Sequence, residues 1–164
     1  MGALAPALKD RSAATDGASQ SNFLFGGTDA ETGEFGGPGT FCGGLALSKT
    51  VRCTDTPMTF SYMSDRQKVA PWGIHGGDPG AKAELFIRRV GSDEWLTITQ
   101  AFNKVSPSKF ANVPIRPGDR IRISSPAGGG WGPPEQRDPT MVQEDLRDGF
   151  ITEHQARTEY AGAG

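Results

Sequence analysis

Apolar and polar side chains alternate in short runs along most of this chain, and glycine and proline punctuate the runs. Residues 84–90, Glu84-Leu-Phe-Ile-Arg-Arg-Val90, lead through Gly91-Ser-Asp93 into Glu94-Trp-Leu-Thr-Ile-Thr99. β-branched and aromatic residues on both arms predict an antiparallel hairpin there. Gly44-Leu-Ala-Leu-Ser-Lys-Thr-Val-Arg52 and Met58-Thr-Phe-Ser-Tyr-Met63 also alternate, and Thr54-Asp-Thr-Pro57 between them suggests a second hairpin. Asn22-Phe-Leu-Phe25 reads as a short strand ending in a turn, and Thr32-Gly-Glu-Phe-Gly-Gly-Pro-Gly39 as a bend. One more strand, over 120–124, follows the turn Arg116-Pro-Gly-Asp119.

The period changes near the end. Asp138 suits a helix N-cap and Pro139 the first helical position. Met141, Val142 and Leu146 then share a face, and Gly149 closes the helix. Thr152-Glu-His-Gln155 is a capping-box pattern that opens a second helix running to Tyr160. These patterns predict a mostly β fold, a small antiparallel sandwich or open barrel with polyproline-like Gly/Pro loops and a short C-terminal helical hairpin. The expected organisation is a flexible arm over 1–20, a β domain over 21–134 and the helical hairpin over 135–164.

Composition thins the expected core. Only 35 % of the 164 residues are hydrophobic, against 23 glycines and 12 prolines, yet nine Phe and three Trp argue for a folded chain. Much of the backbone should therefore be irregular and buried by a neighbouring protein. The net charge of −2 is unevenly spread: residues 1–34 carry 2 basic and 5 acidic groups, 35–134 carry 12 and 7, and 135–164 carry 3 and 7. The basic excess in the middle is too dilute for a nucleic-acid footprint. No stretch is long and apolar enough to span a bilayer, and Met1 to Lys9 lacks the charged and apolar regions of a signal peptide. A cytoplasmic protein is expected. Cys42 and Cys53, eleven residues apart with no CxxC, read as ordinary reduced thiols rather than a metal site.

The candidate chemistry is sparse. Gly128-Gly-Gly-Trp-Gly132 reads as close packing of polyproline-like segments around Trp131, with a backbone phosphate cradle as the alternative. No Lys-Ser/Thr follows it, and Pro133 and Pro134 remove two N–H donors. His75, between small residues in Trp72-Gly-Ile-His-Gly-Gly77, is either structural, satisfying loop backbone groups, or an acid/base group. Asp65 and Arg66, directly after a predicted strand, read as a loop-tying ion pair or as carboxylate binders. His75, Asp65 and Arg66 are thus the catalytic candidates. Trp72, Gly76, Gly77, Gly128, Gly129, Gly130 and Trp131 are candidates for loop packing or an interface. With two histidines and no nucleophile context, the chain does not read as a complete enzyme.

Taken in order, several stretches resemble one family. They are Phe25-Gly-Gly-Thr-Asp29, Gly43-Gly-Leu45, Ser64-Asp-Arg66, Pro71-Trp-Gly73, Gly76-Gly-Asp-Pro-Gly80, Ser108-Lys-Phe110, Ile115-Arg-Pro-Gly-Asp-Arg120 and Pro126-Ala-Gly-Gly-Gly-Trp-Gly-Pro-Pro-Glu-Gln-Arg-Asp-Pro139. Together they look like the carboxy-terminal end of the hydantoinase B/oxoprolinase family, which includes large subunits of acetone and acetophenone carboxylases. The resemblance implies an ATP-dependent hetero-oligomer. A hydantoinase A-like partner would carry ATP and Mg and phosphorylate the substrate, while a large hydantoinase B-like subunit would house later steps and a further metal. No cofactor is expected on this chain itself.

Family members run to several hundred residues, and their main catalytic residues would fall in the long amino-terminal part that has no counterpart here. A split arrangement is expected, with this chain as a small, channel-lining subunit and the large portion supplied separately. Ala127 and Pro133 also stand where the family usually has Gly and Asp. The reaction first expected is carboxylation of a ketone with bicarbonate. The alternatives are ATP-dependent opening of a cyclic amide and a non-enzymatic binding module.

Overall fold

In the computed structural model, residues 36–160 are described. The expected arm over 1–20 and the expected strand Asn22–Phe25 lie outside them. Among the described residues six strands and three α-helices follow in order: β1 (Ser48–Arg52), β2 (Met58–Met63), β3 (Glu84–Arg88), β4 (Trp95–Thr97), α1 (Ile98–Phe102), β5 (Lys109–Ile115), β6 (Arg120–Ser124), α2 (Pro139–Arg147) and α3 (Glu153–Glu159). All strand pairs are antiparallel, in a four-stranded sheet ordered β1-β6-β3-β4 and a two-stranded ribbon β2-β5. The fold is mostly β, with open sheets rather than a closed barrel.

Period-two alternation explains the core. Ile87, Ile121 and Leu96 occupy opposed positions on β3, β6 and β4 and face inward together. A two-stranded ribbon is barely stable alone. Here β2-β5 contributes Val113, Ile115, Phe60, Tyr62 and Phe110 to the same apolar cluster. The three ring centroids of Phe60, Tyr62 and Phe110 lie 5.8–5.9 Å apart. Ile98 and Phe102 of α1 close one end of this sandwich, and Cys53 joins its interior.

Three expectations about local structure change. β1 and β2 do not form a hairpin with each other: β1 pairs with β6 and β2 with β5. Residues Asp119 and Cys53 tether that crossing, since Cys53 N donates to Asp119 O at 2.9 Å and Gly118 N to Cys53 O at 2.8 Å. The strand expected through Thr99 stops at Thr97. There Thr97 Oγ1 accepts from Gln100 N at 3.3 Å, while Thr97 N donates to Gln100 Oε1 at 2.9 Å. This capping box turns a β-branched run into a helical turn. Strand β5, unforeseen in the sequence, carries Pro114 and a left-handed Asn112, and the β2-β5 register shifts between Phe60 and Tyr62.

The carboxy-terminal helices begin where their caps say. Asp138 accepts from Thr140 N at 2.8 Å with Pro139 at the first helical position, and Thr152 and Gln155 complete a capping box. Val142, Ile151 and Tyr160 form their own small core, and Cys42 packs against it. No helix among the described residues is long and apolar enough to cross a membrane.

Candidate functional site

Three glycine-rich segments converge outside the sandwich. They are residues 36–44, 71–80 and 127–132. A side chain at Gly128 would meet Gly44 N at 2.8 Å, one at Gly129 would meet Trp72 O at 2.1 Å, and one at Gly130 would meet Pro38 O at 1.9 Å. Three successive residues thus press against three different stretches of backbone. That three-residue rotation is the period of a polyproline-II helix, not of a β-strand. Residues 127–132 therefore form a central rod, and its neighbours wrap around it.

Backbone hydrogen bonds hold the bundle. Gly37 N donates to Gly128 O at 2.8 Å, Gly128 N to Gly44 O at 2.8 Å, Gly130 N to Asp78 O at 2.9 Å and Ile74 N to Gly130 O at 2.9 Å. Trp131 N and Gly132 N donate to Phe41 O and Ile74 O. The donors of Gly128, Gly130, Trp131 and Gly132 are thus all turned onto carbonyls, so the run does not offer the convergent N–H groups a phosphate needs. Gly76, at φ 91°, allows the chain to reverse after His75, and Gly77 approaches Gly130 O as closely as the rod's own glycines approach their neighbours.

The rod ends in an exposed aromatic corner. Trp131 bridges Phe41 on one side and Ile74 on the other. Its ring lies 5.6 Å from Phe41 and 5.5 Å, edge-on, from His75. Phe41, Ile74 and Trp131 remain 55 %, 50 % and 45 % exposed. Nearby in sequence, Trp72 is also exposed, and the Arg66 guanidinium lies 4.6 Å from its ring centroid. An apolar surface of this kind, raised on a rigid backbone bundle, is suited to contact with another protein.

The three catalytic candidates make separate contacts. His75 is exposed in a left-handed conformation (φ 52°) and packs on Trp131, instead of serving loop backbone groups. Asp65 and Arg66 form no ion pair with each other, because Arg66 is turned onto Trp72 while Asp65 stays exposed. Among the described residues no three His, Cys, Asp or Glu side chains are placed to hold a metal ion. Neither cysteine forms a disulfide.

A buried polar knot went unseen in the sequence. Arg137 Nη2 donates to Asp145 Oδ2 at 2.6 Å, and its Nη1 donates to Thr40 O at 3.1 Å. Cys42 Sγ lies 3.0 Å from the Tyr160 hydroxyl, whose acidity burial suppresses further, with the neighbouring Cys42 adding to that effect. This knot fastens the helical hairpin to the first glycine segment. Glu159 ends α3 beside the second glycine segment: burial first, and then the charge of Asp78, raises its carboxyl above the usual range, against a smaller opposing effect of His154. Arg137 and Asp145 are eight residues apart, but their contacts with Thr40 and Cys42, and that of Tyr160 with Cys42, join positions about a hundred residues apart, which no local spacing signals.

An open antiparallel sandwich fused to a glycine-rod bundle defines the architectural class. Matching residues 33–134 to the hydantoinase B/oxoprolinase family profile gives the kinship. The chain belongs to the hydantoinase B/oxoprolinase family. It is 35 % identical over 123 residues to the B-type subunit of a D-/L-hydantoinase from Pseudomonas sp. (strain NS671), covering 75 % of this chain and 19 % of that protein. It is 33 % identical over 98 residues to the 5-oxoprolinase of Saccharomyces cerevisiae, covering 59 % and 7 %. The fold resembles acetone carboxylase (TM-score 0.55, 18 % identity, 77 % and 20 % covered). It also resembles the ATP-dependent caprolactamase of Pseudomonas jessenii (TM-score 0.54, 20 % identity, 79 % and 21 % covered). The chain thus spans about a fifth of the length of the hydantoinase subunit and of the two solved structures, and 7 % of the yeast 5-oxoprolinase.

Proposed function

We propose that this chain is a structural part of the hydantoinase B-type component of a cytoplasmic, ATP-dependent enzyme, and that it seats the rest of that component against its glycine rod. The observation carrying this reading is the aromatic corner. Phe41, Ile74 and Trp131 stay about half exposed although the backbone beneath them is locked by hydrogen bonds among the three glycine segments. On this reading the chemistry belongs to surfaces this chain helps to shape. A hydantoinase A-like partner would hold ATP and Mg, and the glycine segments would line part of the route between the two.

For the reaction itself, opening of a cyclic amide takes first place, reversing the order expected from sequence. Relatives at 29–35 % identity carry the names hydantoinase and 5-oxoprolinase. Carboxylation of a ketone stands second, because its support is a likeness of fold at 18 % identity.

Affinity purification of the chain from its native cells, with mass spectrometry of what accompanies it, tests the assembly. Recovery with A-like and B-like regions in fixed ratio supports it, and the same sample shows whether the B-like region is a separate chain or continuous with this one. Recovery alone and monomeric overturns it. ATP turnover by the purified assembly with hydantoin or oxoproline, against acetone plus bicarbonate, then chooses the reaction.

A further inference from the structure

The outward face of the four-stranded sheet carries a row of like charges. Register places Arg52 opposite Arg120, Arg120 opposite Arg88, and Arg88 opposite Trp95, so all four side chains leave the same face. Neighbouring strands are roughly 4.8 Å apart, so each guanidinium stem rises beside the next. Directly opposed like charges destabilise a sheet. Nothing in the fold requires arginine here: the inward partners one residue away on β6, β3 and β4, Ile121, Ile87 and Leu96, supply the core.

Among the described residues, little acid offsets the row. Arg88 Nη1 lies 3.8 Å from Asp93, whose side chain is fully exposed, and among the described residues neither Arg52 nor Arg120 makes an ion pair. Arg122, one row along, lays its guanidinium 4.2 Å from the Trp95 ring centroid, and Arg88 lies 5.3 Å from the same ring. Cation–π attraction at these distances holds both guanidinium groups near the indole.

We propose that this face docks an acidic segment of another protein, with Trp95 as the apolar anchor and Arg52, Arg120 and Arg88 pairing its carboxylates. The chemistry of the patch selects that occupant. Trp and Arg dominate the energetic centres of protein interfaces. Carboxylates at successive helical turns stand about 5–6 Å apart, close to the spacing of the arginine row. A nucleic acid would need a longer basic stripe than three strands provide, on a chain whose net charge is −2.

The test uses the full chain and a short poly-L-glutamate peptide as probe, read by calorimetry at low and moderate salt. Saturable, salt-sensitive binding is expected, reduced about tenfold or more by Arg120→Glu. Lys109→Glu, an equal charge change on the β2-β5 ribbon, should leave it within about twofold. A thermal melt guards the comparison. Arg120→Glu places a carboxylate between two arginines and should melt no lower than the parent. Absence of peptide binding, equal loss in both variants, or tighter binding of duplex DNA than of the peptide would overturn the proposal.

Discussion

Arg137 and Asp145 meet at 2.6 Å with both side chains 2 % exposed, and the same guanidinium reaches back to the carbonyl of Thr40. One side chain therefore joins the 3-10 turn Pro134–Gln136, helix α2 and the first glycine segment. Removing one partner from such a pair leaves a charge in a dry site, which costs about 3–5 kcal/mol. Arg137→Ala should lower the urea midpoint by a corresponding amount and deprotect α2 amides to hydrogen exchange before those of β3. Replacing both partners by leucine should recover much of the loss, since a well-packed apolar pair is often as stable.

The rod makes a sharper distinction. Gly129→Ala sets a methyl 2.1 Å from the Trp72 carbonyl oxygen, where the nearest atoms are all backbone of Trp72 and Gly73 and no flexible side chain can yield. Overpacking of this kind costs about 3 kcal/mol or more. Gly91→Ala meets nothing within 4 Å and pays only for its positive φ of 81°, a cost of about 1 kcal/mol. Chemical denaturation of the two variants should separate them by at least about 1.5 kcal/mol. Equal destabilisation would count against the rod's close packing.

Local chemistry made parts of this fold readable. The β3-β4 hairpin, the Asp138 and Thr152 caps and the Gly149 stop each lie within a few residues of what they control. Pairing of β1 with β6 is set by a partner some seventy residues away, and consecutive strands pair often enough to suggest the wrong neighbour. Pro114 and Asn112 disguised β5, and the β-branched run before Gln100 disguised the α1 cap. The same division holds at the candidate site. A glycine run is visible in one segment, but its three-residue rotation exists only against two others. The Arg137 knot is assembled from Thr40, Cys42, Asp145 and Tyr160, and no spacing in the sequence connects them.

Asp119 shows how a turn motif controls the sheet. Its carboxylate is fully buried, accepting from Val90 N at 2.9 Å and Arg116 N at 2.8 Å, with Arg89 Nη1 at 3.4 Å. It therefore sets the Arg116-Pro-Gly turn and binds it to the end of β3. Asp119→Asn keeps the shape but presents an NH₂ group where one of two acceptors stood. The expected cost is about 2 kcal/mol, measured as a shift in thermal midpoint of the full chain, with β3 and β6 amides exchanging faster. An unchanged midpoint would show that the turn holds without the carboxylate.

Trp131→Ala separates the two roles of the rod's end. The Trp131 backbone bridges to Phe41 survive the substitution, so the chain should retain its fold within about 1 kcal/mol. Its half-exposed ring would be lost from the corner, and co-purification of the B-like region should fall at least about tenfold, while ATP turnover by the A-like partner persists. Intact assembly with lost ATP turnover would instead place nucleotide chemistry at the glycine run.

Glu159 gives the chain a predictable response to pH. Burial and Asp78 raise its carboxyl above the ordinary value of 4.5 in the folded state. Below the unfolded value both states hold the proton and the group adds no penalty. As pH rises past 4.5 the unfolded chain releases its proton first, and the folded chain is then destabilised relative to it until the penalty is complete above the raised pKa. Glu159→Gln should therefore stabilise the chain at neutral pH and leave stability nearly unchanged at pH 4. Asp78→Asn should act in the same direction but more weakly, because burial is the larger cause. Urea unfolding of the three proteins across pH 4–8 reads both effects. A Glu159→Gln variant that loses stability at neutral pH would mean that the carboxylate is held in its ionised form by a favourable partner.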